Sequence, residues 1–130
     1  MKDTHVTKIT INKSFPKVWE YISNPLTYSQ IYPFWLSEVK KIKNNFYEGK
    51  GPHGEYKFER VIDKNFGIVD LKIGNELSRT RIYPLDKDST VVIHLGVRWG
   101  IMKNPLFWFF YKRDVNKDFK NAKKIIERSG

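Results

Sequence analysis

The sequence contains no cysteine among its 130 residues. This absence excludes a disulfide framework, a redox-active dithiol and a metal site built from thiolates. No apolar run approaches the ~18 residues that a membrane-spanning helix requires, and the first residues, Met1-Lys2-Asp3-Thr4-His5, lack the apolar segment of a signal peptide. Long Pro-, Gly- or Ser-rich linkers are missing as well. Together these absences predict a single domain over 1–130 in a cytoplasmic protein.

Acidic residues are scarce: 14 Asp and Glu stand against 24 Lys and Arg, which gives a formal net charge of +10. Such a balance favours anionic partners, although a Lys-rich surface also serves solubility alone. The excess is concentrated in 103–130, which carry eight Lys and Arg but three Asp and Glu. Because this segment has no recognition-helix pair, zinc finger or aromatic RNA-binding motif, nucleic acid is not the expected partner.

Aromatic residues make up 15% of the chain, which argues against disorder. Apolar alternation predicts strands at Thr4–Asn12, Val39–Ile42, Tyr56–Ile62, Ile68–Ile73, Leu77–Tyr83 and Thr90–Trp99. Two short helices are predicted after the first strand, one beginning at Ser14 and one over Leu26–Gln30. The short connections between the later strands are typical of antiparallel hairpins.

A long amphipathic helix is predicted from the cap residue Asn104 to Arg128. Apolar residues recur there at steps of three and four, at Trp108, Tyr111, Val115, Phe119, Ala122 and Ile126. At ~1.5 Å per residue the helix is ~37 Å long, enough to cross a small domain. The sequence therefore predicts an α+β fold in which this helix lies against an antiparallel sheet.

The chain resembles the START-related superfamily (SRPBCC), which includes the birch pollen allergen and the polyketide cyclase/dehydrase-like proteins. The matching segments are Ile9–Ile11, the run SFPKVWEYISNP at Ser14–Pro25, Arg81–Leu85 and Ser89–Val92, followed by the long terminal helix. The resemblance implies a helix-grip fold, in which a curved antiparallel sheet of six or seven strands wraps the terminal helix around an apolar cavity. It also implies that the protein binds a hydrophobic small molecule.

The expected occupant of this cavity is a lipid-like or polycyclic molecule, and the protein would act as its carrier or sensor. The residues predicted to line the cavity are Trp19, Tyr56, Phe58, Ile93, Leu95, Trp108, Tyr111 and Val115. One alternative is a cyclase/dehydrase-type enzyme acting on a polyketide-like substrate in the same cavity. Another is an interaction module without a ligand, whose basic terminal helix meets a protein or an acidic membrane.

Three arginines are candidates to hold an acidic headgroup of the ligand. Arg60 is in phase with Tyr56 and Phe58, so its guanidinium can point into the cavity. Arg79 and Arg81 share a phase with each other, but their direction is ambiguous. The alternative for each is a salt bridge, or a stem that packs while the charged end stays in water.

The histidines do not have the spacing of metal ligands, and neither a metal nor a cofactor is expected. They are His5, His53 and His94. In the last strand Val91, Ile93, Leu95, Val97 and Trp99 are predicted to form the core face. His94 has the opposite phase and is therefore predicted to face outward. No catalytic constellation is visible, so enzymatic activity is left open.

Gly49–Gly54 spells GxGxxG, the fingerprint of dinucleotide-binding proteins. That interpretation requires a helix after the motif, whereas the alternating segment Glu55-Tyr56-Lys57-Phe58 predicts a strand. The glycines are instead expected to make a tight turn at a crowded place.

The segment Leu106–Tyr111 is apolar around the whole helix, with Lys103 before it and Lys112 and Arg113 after it. One interpretation is burial on both sides of the helix. A second is a cavity mouth that makes transient contact with an anionic membrane, and a third is a contact between copies of the chain.

Overall fold

The structure is a computed structural model that describes residues 4–74, 76–97 and 104–129, without the side chain of Val97. Seven strands and three α-helices occur in this part of the chain. They are β1 (Thr4–Ile11), α1 (Phe15–Ile22), α2 (Tyr28–Ile31), β2 (Glu38–Lys43), β3 (Phe46–Gly51), β4 (Gly54–Asp63), β5 (Ile68–Ile73), β6 (Glu76–Asp86), β7 (Ser89–Val97) and α3 (Pro105–Arg128). Short 3-10 helices occur at Pro25–Thr27 and Lys64–Phe66.

The strands form one antiparallel sheet in the order β1-β7-β6-β5-β4-β3-β2. Strands β2 to β7 follow one another as hairpins, and β1 joins the far side by pairing with β7, from Thr4 opposite Val97 to Ile11 opposite Thr90. The sheet is curved, and α3 lies against it with Phe119, Ala122 and Ile126 buried. The predicted helix-grip fold with a sheet of six or seven strands is confirmed.

Helix α3 begins where the sequence predicts. The Asn104 side chain accepts a hydrogen bond from the backbone N–H of Leu106 at 2.9 Å, and Pro105 occupies the first helical position. This position needs no N–H partner within the helix, so proline is tolerated there. No helix among the described residues is both long and apolar enough to cross a membrane.

Strand β3 is absent from the predicted elements because its glycines resemble a loop. Strand β3 ends at Gly51, which pairs with Gly54 across a two-residue turn, so GxGxxG is part of a hairpin and is followed by β4. A Cβ on Gly49 would lie 2.8 Å from a methyl carbon of Leu36, and one on Gly51 would clash with the carbonyl of Trp35. These glycines therefore let the segment after α2 pass close to the hairpin.

The predicted orientation of β7 is wrong. Thr90, Val92 and His94 are buried on the inner face, and the His94 ring lies 5.1 Å from that of Phe119 in α3. Ile93 and Leu95 therefore point to the outer face. Both faces of this strand are largely covered, so apolar alternation does not distinguish them. The predicted core residue Trp99 and the side chain of Val97 lie outside the described part of the chain.

The core is tightest beside α1 and the C-terminal half of α3. Side chains with 1% exposure or less meet there from α1, β1, β7 and α3, namely Ile11, Val18, Ile22, Val92, Ala122 and Ile126. Full burial of each larger aliphatic side chain contributes about 1.5–3 kcal/mol. This end of the molecule anchors the C-terminal half of α3 in the core.

Candidate functional site

A cavity of about 720 Å³ lies between the inner face of the sheet and the N-terminal half of α3. Its base is formed by buried side chains, which include Tyr28, Tyr32, Leu71, Thr80, His94 and Phe119. Its mouth is formed by groups with substantial exposure, which include Phe34, His53, Phe107 and Arg113. The cavity therefore runs from the surface into the interior, and most of its wall is aromatic or aliphatic.

Three of the eight predicted lining residues border this cavity: Tyr56 from β4, and Tyr111 and Val115 from α3. Gly96 in β7 makes room for one of them, because a Cβ at this position would clash with the hydroxyl group of Tyr111. Tyr111 also stacks on Trp108 with 5.3 Å between the ring centroids. The apolar stripe of α3 thus separates into side chains that pack and side chains that face open space.

The other five predicted lining residues do not border the cavity. Ile93 and Leu95 lie on the outer face of β7. Trp19 stacks on Phe15 within the core at 5.9 Å. Phe58 and Trp108 are buried elsewhere: Phe58 packs against Tyr28, Trp35 and Tyr47, and Trp108 meets the His5 ring of β1 at 6.4 Å. Large aromatic residues fill the closed core here, which explains why hydrophobicity alone does not locate the cavity.

None of the three candidate arginines borders the cavity. Arg60 donates two hydrogen bonds to the side-chain oxygen of Asn45, at 2.9 and 3.1 Å, and one to the carbonyl of Ser23 at 2.8 Å. It therefore ties the β2–β3 turn to the end of α1. Arg81 binds Asp70 at 2.7 Å, and Arg79 is exposed. The salt-bridge alternative holds for Arg81, while Arg113 is a cation at the mouth that the prediction missed.

A hydrogen-bonded pair, Ser78 and His94, belongs to the cavity wall. The Ser78 hydroxyl and His94 Nε2 are 2.9 Å apart, and His94 Nδ1 is buried without a hydrogen-bond partner in the described structure. Burial, followed by the proximity of His5, lowers the pKa of His94 to about 4. The imidazole is therefore neutral at pH 7, so it can accept or donate a hydrogen bond.

Two carboxyl groups, those of Asp118 and Glu76, also border the cavity. Burial raises the pKa of Asp118 to about 7, and nearby Asp114 adds to this effect, while the backbone N–H of Phe34 opposes it by donating a hydrogen bond at 2.8 Å. Burial also raises the pKa of Glu76 to about 7. Both groups can therefore hold or release a proton near neutral pH.

The sequence carries a signal for Asp118 that the prediction did not use. Asp118 comes seven residues after Tyr111 and three after Val115, so it shares their face of α3. A carboxylate on an otherwise apolar stripe is costly to bury without a partner. Ser78 and Thr80 give a similar signal, since these polar residues share the phase of Ile82 in β6, where a core strand would be apolar.

A hydrogen bond between the β3–β4 turn and α3 spans the cavity mouth. His53 Nε2 at the β3–β4 turn lies 3.1 Å from Asp114 Oδ2 on α3. Arg113 Nε is 3.4 Å from the other oxygen of the same carboxylate. The hairpin and the helix therefore meet at the opening through side chains that can separate without disturbing the core.

Among the residues that the structure describes, no group of three or more His, Asp or Glu side chains is placed to hold a metal ion. The site consists instead of an apolar cavity with a few polar groups on its wall. Such a wall binds ligands through apolar contact and orients them through a small number of hydrogen bonds.

Comparison with known proteins places this architecture in one class. The chain matches no protein-family model, and no curated protein is matched by sequence. Solved structures, however, match over nearly the whole chain. They show that the chain shares the fold of an aromatase/cyclase and of a START superfamily protein, which is the helix-grip fold that the sequence resemblance implied.

Three of these structures illustrate the similarity. The Zhui aromatase/cyclase from Streptomyces sp. R1128 has a TM-score of 0.77 at 15% identity, with coverage of 96% of this chain and 93% of that one. A START superfamily protein from Mycobacterium smegmatis has a TM-score of 0.71 at 14% identity, with coverage of 95% and 94%. Norcoclaurine synthase from Thalictrum flavum, solved with dopamine and hydroxybenzaldehyde, has a TM-score of 0.66 at 15% identity, with coverage of 98% and 88%.

Proposed function

We propose that the protein binds a hydrophobic small molecule, lipid-like or polycyclic, in the cavity beneath α3 and acts as its carrier or sensor. The observation that carries this proposal is the cavity itself, about 720 Å³ in volume with a largely aromatic and aliphatic wall. This volume lies within the range of about 300–1,000 Å³ that is usual for small-molecule sites. Affinity would come mainly from apolar area removed from water, at about 25 cal/mol per Å².

The Ser78–His94 pair would orient the ligand. It is the neutral polar pair nearest the base, and a ligand hydroxyl or carbonyl group can hydrogen-bond to the serine hydroxyl without a buried charge. A cation is not needed for this role, since Arg113, the only arginine that borders the cavity among the described residues, lies at its mouth. The proposed ligand is therefore apolar over most of its surface and carries one neutral polar group at its leading end.

The proposal is tested by uptake of N-phenyl-1-naphthylamine, an apolar dye whose fluorescence rises on leaving water. The substitution Ile73→Trp fills part of the cavity, because Ile73 borders it. Lys72→Trp is the matched control, since Lys72 is exposed on the opposite face of the same strand. We expect saturable dye uptake by the unmodified protein and the Lys72 variant, with affinity reduced on the order of tenfold in the Ile73 variant.

Thermal unfolding of both variants is measured in parallel, so that a loss of dye uptake caused by unfolding is distinguished from a filled cavity. Equal uptake by the two folded variants, or no saturable uptake by the unmodified protein, would contradict the proposal. Native mass spectrometry followed by organic extraction gives an independent answer, because a carrier purified gently is expected to retain bound small molecules.

A second candidate function is cyclase-type chemistry in the same cavity, and the position of Asp118 favours it. Its carboxyl group borders the cavity and has a pKa of about 7, so its basic form can remove a proton from carbon and its acidic form can protonate a leaving hydroxyl group. The carbanion so formed adds to a ketone carbonyl of the same chain, whose oxygen takes up a proton and becomes a hydroxyl group; loss of a second C–H proton as the protonated hydroxyl leaves then releases water. The fold shared with the Zhui aromatase/cyclase supports this candidate.

This candidate is tested by incubating the protein with a linear poly-β-ketone thioester and following the mass of the products. Cyclisation with dehydration lowers the mass by one water molecule per ring closed. Asp118→Asn keeps an acceptor for the Phe34 N–H but cannot exchange a proton, so the rate is expected to fall by about 10²-fold or more. A product pattern equal to that of buffer alone leaves ligand binding as the function.

A further inference from the structure

The first turns of α3 expose an apolar surface beside the cavity mouth. Leu106 is 59% exposed, Phe107 45% and Phe109 56%; these three residues are called the α3 tip below. Among the three interpretations of the segment Leu106–Tyr111, burial on both sides is therefore wrong for the tip, although Trp108 is buried. Large exposed apolar side chains at a cavity opening are typical of a surface that contacts another apolar phase.

The outward side of α3 continues from the tip as a row of cations. Arg113 comes seven residues after Leu106 and four after Phe109, so it lies on the same side of the helix. Lys117, Lys120 and Lys124 follow at steps of four, three and four, and all four cations are exposed. The row Arg113, Lys117, Lys120 and Lys124 is called the cationic stripe below.

The acidic residues of this part of α3 do not neutralise the stripe. Asp114 is turned toward the β3–β4 hairpin, where it meets His53, and Asp118 is buried against the cavity. Arg113 does approach Asp114, but the other three cations have no salt bridge to either aspartate. The outward side of the helix therefore presents apolar residues at its start and positive charge along the next three turns.

We propose that the α3 tip and the cationic stripe dock the protein on an anionic lipid bilayer. A bilayer offers both requirements at once, since its acyl region accepts the phenylalanines and its headgroups attract the cations. A second copy of the chain fits poorly, because its own stripe and its net charge of +10 would be repelled. The charge complementarity of the surface thus selects an anionic bilayer as the occupant.

Docking in this way would place the cavity mouth at the bilayer surface. Phe107 of the tip and its neighbour Phe110 both border the cavity, so the apolar wall of the cavity continues into the docking surface. A hydrophobic molecule could pass between bilayer and cavity without crossing water. This consequence rests on the proposed ligand-binding function, whereas the docking itself does not.

The test is co-sedimentation of the full chain with vesicles of phosphatidylcholine alone, or mixed with phosphatidylglycerol. Leu106→Ser/Phe109→Ser alters the tip at positions that do not border the cavity, and Leu85→Ser is its control because Leu85 is 61% exposed elsewhere. We expect binding to the anionic vesicles only, weaker by on the order of tenfold in the tip variant and unchanged in the control.

The contribution of the cationic stripe to vesicle binding is tested with a second pair of variants. Lys120→Gln/Lys124→Gln removes two cations of the stripe, and Lys40→Gln/Lys41→Gln removes two exposed cations from β2 as the control. Vesicle binding should weaken more in the stripe variant than in the β2 variant, and should weaken for all forms as salt shortens the range of charge interactions. Equal loss in the two charge variants would overturn the proposal, because net charge alone would then explain binding.

Two vesicle results would overturn the proposal: no sedimentation with anionic vesicles at low salt, or sedimentation with phosphatidylcholine alone. A dimer that the tip substitutions dissociate, or binding of an oligonucleotide that depends on the tip, would also overturn it, because each shows a different occupant of this surface. N-phenyl-1-naphthylamine uptake by the unmodified protein, compared with its vesicle binding, separates the two proposals. Uptake without vesicle binding would contradict docking alone, whereas vesicle binding without uptake would contradict the ligand-binding function alone.

Discussion

The two halves of α3 belong to one helix but lie in different surroundings. From Phe119 to Arg128 the inward side chains are all buried, Ala122 and Ile126 in the closed core and Phe119 at the base of the cavity. From Pro105 to Asp118 the inward side chains other than the buried Trp108 border the cavity, and the first turn exposes Leu106 and Phe107. The difference indicates a division of labour, in which one half anchors the helix and the other half leaves space for a ligand.

This division explains how a small domain can keep a large cavity. The C-terminal half of α3 lies in the closed core beside α1, β1 and β7, while in the N-terminal half Trp108 contacts β1 and Tyr111 contacts β7. These contacts hold the helix over the sheet and leave the space between them open. The comparison predicts that substitutions in the two halves affect stability and binding in opposite proportions.

The largest expected effect on stability is in the closed half. Ile126→Ala removes a side chain with no exposure and should lower the free energy of unfolding by about 3 kcal/mol. Val115→Ala removes atoms that already face open space and should cost less than about 1 kcal/mol. Urea denaturation of both variants measures the difference, and equal costs would show that the cavity half is packed as tightly as the core.

A smaller, pH-dependent effect is expected at Asp118, on the boundary between the halves. Its pKa rises from 3.8 to about 7 on folding. Between these values the folded chain keeps a proton that the unfolded chain has lost, so this group lowers stability as the pH rises. Asp118→Asn should therefore raise the melting temperature relative to the unmodified protein at pH 7.5, on the order of 5 °C, and much less at pH 4.

Two other titratable groups of the cavity wall also make the stability of the fold depend on pH. The raised pKa of Glu76 lowers the stability as the pH rises, as for Asp118. His94 raises the stability as the pH rises, because its pKa falls from 6.5 to about 4 on folding. Neither group is changed in the Asp118 variant, so the difference between the two pH profiles isolates Asp118. A difference that does not grow from pH 4 to pH 7.5 would contradict the raised pKa.

The smallest effect is expected at the surface of the closed half. Glu127 accepts hydrogen bonds from Lys123 Nζ and from the backbone N–H of Asn12, each at 2.7 Å, and so ties α3 to the end of β1. Glu127→Gln keeps an acceptor for Asn12 but removes the ion pair, which should cost about 0.5–1 kcal/mol. Glu48→Gln, which removes the more exposed contact with Lys40 at 3.5 Å, should cost less.

The fold was more predictable than the site because strands and helices leave a periodic signal in the sequence. The cap residue Asn104 and the apolar stripe that follows it predict the extent of α3, and the alternation of apolar residues predicts strands β4 to β6. Strand β3 was missed because Gly49 and Gly51 imitate a loop, although they are needed for close approach to Leu36 and Trp35. This need for glycine arises from a contact with a different segment of the chain, so the local sequence pattern does not reveal it.

The site was less predictable because a cavity forms where side chains of opposing elements do not meet, and the sequence of either element alone does not show this. Tyr56 and Phe58 share a phase in β4, yet Tyr56 borders the cavity and Phe58 is packed among other rings. Sequence phase gives the face of a strand but not the distance to the opposite element. His94 shows the complementary error, since a polar residue on a buried face was assigned to the surface.

The pairing of β1 with β7 has a consequence for how the chain is made. Thr4 lies opposite Val97, so β1 is synthesised well before β7, the strand with which it pairs. The hairpins from β2 to β7 can form meanwhile, because each strand pairs with its immediate successor. Closure of the sheet then pairs residues that are 79 positions apart (Ile11 and Thr90) to 93 positions apart (Thr4 and Val97), a step that raises contact order and slows folding. Until β7 has emerged during synthesis, β1 lacks the strand that pairs with it.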